Sequence, residues 1–189
     1  MFEIRSQQTT TLFACIHFPS KLYHDEETHS EIVPVYKNKI HALAGRNKRI
    51  FVVGDFNMNP FDKGMVQPTC FNSFHNRLLV NKDTMPHIAG AQRLYYNPCW
   101  TLMGDFISAR TYDDSKRMGG TQHFLEKKSR KFYWYLIDQI IMAKELINDF
   151  ISESLVIIEE KYFVDELLKP KIKNIPKLDH LPICFSFNL

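Results

Sequence analysis

Residues 50–60 read Ile-Phe-Val-Val-Gly-Asp-Phe-Asn-Met-Asn-Pro. The apolar run at its start predicts a buried strand over residues 50–54. Gly54 permits a tight backbone path, so Asp55 and Asn57 emerge where this strand ends, and alternation puts both side chains on the same side. A carboxylate and an amide in this arrangement can orient a water and a phosphate oxygen. Ordinary turn chemistry explains the same residues, because Asp, Asn and Pro all favour strand exits.

The rest of the chain mixes strand and helix signals. Ile32, Tyr36, Ile40 and Leu43 recur at three- and four-residue spacing and predict an amphipathic helix, which Pro34 interrupts unless it lies in the first turn. The mixture indicates an α/β or α+β layered domain, with loops over residues 84–121. Further strands are predicted at residues 11–18, 132–142, 154–158 and 183–187.

Composition is that of a folded globular protein. The 189 residues are 44% hydrophobic and 13% aromatic, with fifteen Phe, which excludes a disordered chain. Seven Gly and nine Pro exclude collagen-like and low-complexity sequences. No repeat or Gly/Ser linker interrupts the chain, so we expect a single domain over residues 1–189.

Charge permits an anionic partner without demanding one. The formal net charge is +3. Basic residues cluster in segments 116–131 and 169–177, whereas segment 145–166 is acidic. Such runs are usually solvated surface, but the first basic segment favours nucleic acid over a small phosphate as partner.

Cysteine usage indicates a reducing compartment. The four cysteines are far apart and form no CxxC pair, which argues against a zinc site and predicts buried free thiols. The first residues contain neither a signal peptide nor a membrane span, so we expect a cytoplasmic protein without a membrane partner. The cysteines are Cys15, Cys70, Cys99 and Cys184.

Three further polar positions could carry chemistry. Asp179 and His180 directly precede a predicted strand, where a carboxylate can bind a hard cation and an imidazole can contact an anion or donate a proton. Asp138 is embedded in an apolar strand and requires a partner, for which His180 is a candidate. His17 ends another strand, where a lone His is usually a packed core residue. The cluster at residues 24–29 matches no standard metal spacing and is predicted to be a solvated loop.

Taken in order, these segments resemble the endonuclease/exonuclease/phosphatase superfamily. The strand ending at His17 resembles its histidine-bearing strand, residues 54–57 its GD-x-N motif, residues 137–140 its buried-aspartate strand and residues 179–182 its closing DH-x-P motif. Segments 96–100 and 120–121 are similar to bacterial members. The resemblance implies a layered β-sandwich flanked by helices.

The resemblance also implies a reaction, hydrolysis of a phosphate ester by an in-line water with Mg²⁺ or Mn²⁺. By this similarity Asp55 would orient or deprotonate the water, Asn57 would hold the water or a phosphate oxygen, and Asp179 would bind the metal. His180, fixed by Asp138, would stabilise charge on the phosphate. A further histidine, His17, would contact a non-bridging oxygen.

One departure from the family concerns the metal. Members begin with a strand bearing an Asn and a second strand ending in a metal-binding Glu, both ahead of the histidine strand. Here Glu3 is the only acid before His17, and its surroundings do not match. A smaller departure is Leu178, where many relatives have Ser. The resemblance therefore implies that the family's N-terminal strands are missing and that metal binding is weakened.

Several functional hypotheses follow. The first is a metal-dependent phosphoesterase, nuclease-like or a phosphomonoesterase, completed by an upstream segment or a complementing chain. The second is a non-catalytic module that binds nucleic acid or a protein. A third is a self-assembled oligomer in which exposed sheet edges pair.

Overall fold

The computed structural model describes residues 1–21, 23–82, 93–103, 119–123, 134–158 and 179–189. Within these ranges the protein is mixed α/β, with one six-stranded sheet, two two-stranded sheets and few helices. The strands are β1 (Phe2–Arg5), β2 (Thr10–His17), β3 (Ile50–Asp55), β4 (Ser73–Phe74), β5 (Tyr95–Tyr96), β6 (Gln122–His123), β7 (Trp134–Tyr135), β8 (Asp138–Ala143), β9 (Phe150–Ile157) and β10 (Ile183–Phe187). The helices are α1 (Glu26–Ala44), α2 (Lys63–Val66), α3 (Arg77–Lys82) and the 3-10 segments Pro98–Leu102 and Lys144–Leu146.

The six-stranded sheet brings several strand ends to one edge. Its order is β1-β2-β3-β8-β5-β4. Strand β3 runs parallel to β2 and antiparallel to β8, while β5 runs antiparallel to β8 and parallel to β4. Strands β2, β3, β4 and β5 therefore point the same way. Their C-terminal ends point toward the edge at which β8 begins, which we call the site edge. Strands β2 and β3 reach this edge, whereas β5 ends opposite Met142, four residues of β8 away.

Both faces of the central strands are buried, which explains the unbroken apolar run that begins β3. On one face, Val33 and Ile40 of α1 pack in a cluster with Val52. On the other face, the ring of Phe51 lies 5.4 Å from that of Phe185 and 5.0 Å from that of Phe187, both on β10. The β9–β10 sheet therefore contacts the face opposite α1.

Helix α1 corrects two expectations. It begins at residue 26, with Asp25 as its N-cap accepting a hydrogen bond from Thr28 N at 2.8 Å, so much of the 24–29 cluster is helical and not a loop. It also continues through Pro34, well beyond its first turn. Proline leaves the carbonyl of Ser30 without its helical donor. The thiol of Cys70 lies 3.5 Å from that carbonyl and compensates in part.

Other differences concern strand boundaries. A single strand over residues 132–142 is wrong for the described part, because Leu136 and Ile137 separate β7 from β8. The backbone N–H of Leu136 donates to the side chain of Asn59 at 3.1 Å, a contact that no apolar pattern encodes. Strand β9 begins at Phe150, four residues earlier than expected. The predicted loop over residues 84–121 contains β5 and a 3-10 segment in its described part, and residues 84–92 and 104–118 lie outside it.

The remaining sequence expectations have mixed outcomes. The strands predicted at residues 11–18, 50–54 and 183–187 are confirmed to within a residue. All four cysteines are free, but Cys15 and Cys184 are exposed. Cys184 alternates along β10 with phenylalanines that face inward, so its apolar neighbours in the sequence did not mean that its own side chain is buried. The basic segments 116–131 and 169–177 lie largely or wholly outside the described residues. None of the described helices is both long and apolar enough to cross a bilayer.

Gly54 is the backbone position on which the site edge depends. Its φ of +133° is a conformation that L side chains rarely adopt, and an added Cβ would lie 2.1 Å from the carbonyl oxygen of Ile16 on β2. We expect Gly54→Ala to lower the free energy of unfolding by at least about 2 kcal/mol, because strain and overlap add. Chemical denaturation would measure this. The matched control is Gly119→Ala, where an added Cβ meets none of the described residues within 4 Å and the change should stay within about 0.5 kcal/mol. Equal effects of the two substitutions would contradict the prediction.

Candidate active site

Three polar side chains lie in one row across the site edge. In the ladder, His17 of β2 is the partner of Asp55 on β3, and Asp55 is the partner of Asp138 on β8. Paired residues on adjacent strands project from the same face of a sheet. The pairing therefore places one imidazole and two carboxylates side by side, although they are distant in sequence.

A second histidine reaches this row from the segment before β10. The Nδ1 atom of His180 lies 3.0 Å from Asp138 Oδ2 and 3.9 Å from Asp55 Oδ2. On the other side, His17 Nε2 lies 3.6 Å from Asp55 Oδ2. The expected partnership of Asp138 with His180 is thus present. The side chain of Asp55 is 13% exposed, whereas that of His17 is 79% exposed and faces solvent.

Asn57 locks the carboxylate of Asp55 in place. Its backbone N–H donates to Asp55 Oδ1 at 2.7 Å. Its side-chain amide donates to Asp55 Oδ2 at 3.0 Å and to the carbonyl of Phe18 at 2.8 Å. Asn57 adopts φ +49°, a left-handed conformation that Asn tolerates better than most residues. The sequence presents turn chemistry and a candidate site as alternative explanations of Asp55 and Asn57, but both describe the same structure. The amide N–H groups of Asn57 already have partners within the protein.

Thr121 is a positioning residue that sequence reasoning did not identify as one. Its hydroxyl accepts a hydrogen bond from Asp138 N at 3.1 Å, and its carbonyl accepts one from Leu181 N at 2.7 Å. It therefore joins the start of β8 to the segment that carries His180. Neighbouring Gly120 permits this close approach, since an added Cβ would lie 2.4 Å from the carbonyl oxygen of Tyr135. The only signal in sequence was the small pair Gly120-Thr121 itself.

The charge of Asp138 acts on the pKa of both Asp55 and His180. Burial raises the pKa of Asp55, the backbone N–H of Asn57 opposes this, and the charge of Asp138 raises it further. Burial lowers the pKa of His180, but the hydrogen bond and charge of Asp138, with the charges of Asp55 and Asp179, reverse the direction, so that the pKa lies above its ordinary value. The site therefore favours a protonated His180 and disfavours a second full negative charge.

Two residues considered as metal ligands lie apart from this group. Asp179 is exposed and acts on His180 through its charge. Glu3 pairs in register with Leu12 and forms an ion pair with Arg5. Leu12 precedes His17 by five residues, or about 16 Å along a strand. Glu3 is therefore remote from the row of carboxylates.

The described residues contain one group of side chains with the chemistry of a cation site. Ligand atoms of Asp55, Asp138 and His180 all lie within 4.8 Å of one another. The buried Oδ2 of Asp138 has no other hydrogen-bond partner than this histidine among the described residues. Two carboxylates suit a hard divalent ion such as Mg²⁺, and the imidazole, which Mn²⁺ accepts more readily, would join them only in its neutral form. The donor set fits such an ion.

Comparison of the chain with protein-family models and with curated proteins found no match to either.

The pKa of His180 tests the electrostatics of the site. We expect its imidazole to titrate above pH 6.5 in metal-free protein and Asp138→Asn to lower that pKa, because the largest favourable charge is removed. The contribution of this group to stability is then complete below pH 6.5 and is lost as the pH rises through the folded-state pKa. NMR titration of the ring protons measures the shift. The control is Glu31→Gln on the exposed face of α1, and an unchanged pKa in Asp138→Asn would contradict the account.

Proposed function

We propose that this protein is a metal-dependent phosphoesterase that hydrolyses phosphodiesters in the manner of a nuclease. The observation that carries the proposal is the register of β3 with β8, which sets Asp55 directly opposite Asp138 beneath His180. The order of the sequence motifs, similar to that of the endonuclease/exonuclease/phosphatase superfamily, supports the same activity. The aromatic contacts between β10 and the six-stranded sheet support the layered sandwich of that superfamily.

In this mechanism Asp55 orients the attacking water and accepts its proton. Its raised pKa suits it to this, because a stronger base exchanges protons more readily near neutral pH. Asn57 fixes the direction of the carboxylate through its two hydrogen bonds. This gives Asn57 a positioning role toward Asp55 in addition to the proposed contact with the water or phosphate.

Charge on the reacting phosphate is neutralised from two sides. His180, whose protonated form Asp138 favours, donates a charged hydrogen bond to a phosphate oxygen. The exposed His17 is free to contact a non-bridging oxygen at the rim. A Mg²⁺ or Mn²⁺ ion held by the carboxylates of Asp55 and Asp138, with Asp179 nearby, would supply further positive charge.

A complementing carboxylate is part of the proposal. Glu3 is about 16 Å along β2 from the site row, so it cannot serve as the family's metal-binding Glu. We propose that an upstream segment or another chain supplies this group. The same observation favours the second candidate function, a catalytically inactive module that binds nucleic acid or a protein through the site edge.

Activity assays separate these functions. The purified chain is incubated with Mg²⁺ or Mn²⁺ and single-stranded DNA, duplex DNA, RNA or a phosphomonoester. We expect cleavage of a diester that EDTA abolishes and that His180→Ala lowers about 100-fold or more. His24→Ala, which replaces a histidine outside the site, should retain full activity. Salt-sensitive binding without turnover would contradict the proposal and favour the inactive module, and release of phosphate from the monoester alone would make the protein a phosphomonoesterase.

A further inference from the structure

Three aromatic side chains share the site edge with the candidate active site. Phe61 follows β3, His75 follows β4, and Trp100 lies in the 3-10 segment after β5. These three strands run parallel, so the segments that leave β4 and β5 run on toward the edge where Asp55 and Asp138 lie, which is four residues of β8 beyond the pair Tyr96–Met142. The topology therefore places the three rings on segments that lead toward the reacting centre.

The rings contact one another and remain open to solvent. The ring centroid of Trp100 lies 6.3 Å from that of Phe61 and 5.2 Å from that of His75. Phe61 is 43% exposed and His75 is also exposed. The indole Nε1 of Trp100 is buried and has no hydrogen-bond partner among the described residues, so the exposed part of this half-buried residue does not include its polar atom. We call these three residues the aromatic step.

A buried glutamine connects the aromatic step to the active site. The side chain of Gln139, next to Asp138, accepts a hydrogen bond from Asn97 at 2.8 Å and donates one to the carbonyl of Met58. Asn97 caps the 3-10 segment that carries Trp100. Met58 belongs to the loop that leads to Phe61. The loops on which the rings lie are therefore fixed relative to the carboxylates.

The neighbouring charges indicate what the aromatic step binds. Lys21 forms an ion pair with Asp62, and Lys63 forms one with Glu27 at 2.9 Å. These two described cations near Phe61 are thus already matched by acids, and the surface beside that ring offers ring area. A flat, uncharged, π-rich group is the complementary ligand.

We propose that the aromatic step stacks an unpaired nucleobase next to the phosphodiester that the site hydrolyses, which makes single-stranded nucleic acid the substrate class. The inference rests on the proposed function for its chemistry and on the aromatic step for its specificity. In duplex nucleic acid the bases are stacked on one another, so only an unpaired base presents a free face.

Binding is measured without turnover. Trp134→Phe leaves Trp100 as the only indole, and its fluorescence is followed in EDTA while a thymidine oligonucleotide is added. An abasic oligonucleotide of equal length carries the same backbone charge and no bases. We expect quenching and tight binding by the first and neither by the second.

Substitutions then identify the residues that contact the base. Trp100→Leu loses no hydrogen bond to the part of the chain that the structure describes, and it should weaken oligonucleotide binding about 5- to 150-fold in a fluorescence-independent assay. Trp100→Phe should restore part of the affinity, and Phe61→Leu, a second site in the aromatic step, should also weaken binding. The control is Leu43→Ala, an exposed apolar residue at the far end of α1.

The outcomes separate this inference from the proposed function. Base-dependent quenching without hydrolysis of any diester would support the aromatic step and overturn the enzymatic activity. Hydrolysis of the abasic oligonucleotide should be unchanged in Trp100→Leu, whereas KM for the base-bearing oligonucleotide should rise. Equal KM for the base-bearing and abasic oligonucleotides, with no effect of Trp100→Leu or Phe61→Leu, would overturn the aromatic step and leave the activity intact.

Discussion

The antiparallel pairing of β3 with β8 is the constraint on which the site depends, because it sets two half-buried carboxylates directly opposite each other. Like charges in such a pair are unfavourable. Neighbouring groups stabilise the negative charge of both carboxylates: His180 lies 3.0 Å from Asp138, and the backbone N–H of Asn57 donates to Asp55 at 2.7 Å. The strain that remains appears as the raised pKa of Asp55, of which burial is the largest cause.

The direction of the strands brings the polar side chains of the candidate site to one edge of the sheet. Strands β2 and β3 end where β8 begins, so residues from distant parts of the sequence meet there without long loops reaching inward. The backbone around the row is closely packed, as Gly54 and Gly120 show by leaving no room for a Cβ. This packing orders the carboxylates before a ligand arrives, which lowers the reorganisation that binding would require.

Sequence predicted the central features and missed the connections between them. Strand β3 and the partnership of Asp138 with His180 followed from an apolar run and from the cost of an unpaired buried charge. The passage of α1 through Pro34 did not, because tertiary packing outweighs one lost helical hydrogen bond. The roles of Thr121 and Gln139 were also invisible, since each bonds to segments tens of residues away and no local pattern encodes such contacts.

The most direct test of the opposed carboxylates is the melting temperature of Asp55→Asn, compared with wild type in EDTA and in Mg²⁺. Asparagine keeps an acceptor for the backbone N–H of Asn57 and removes the disfavoured charge, while it loses the acceptor for the side-chain amide of Asn57. The account predicts that Asp55→Asn melts higher than wild type in EDTA, and that Mg²⁺ raises the melting temperature of wild type more than that of the variant. A variant that melts lower in EDTA, or an equal response to Mg²⁺ in both proteins, would contradict it.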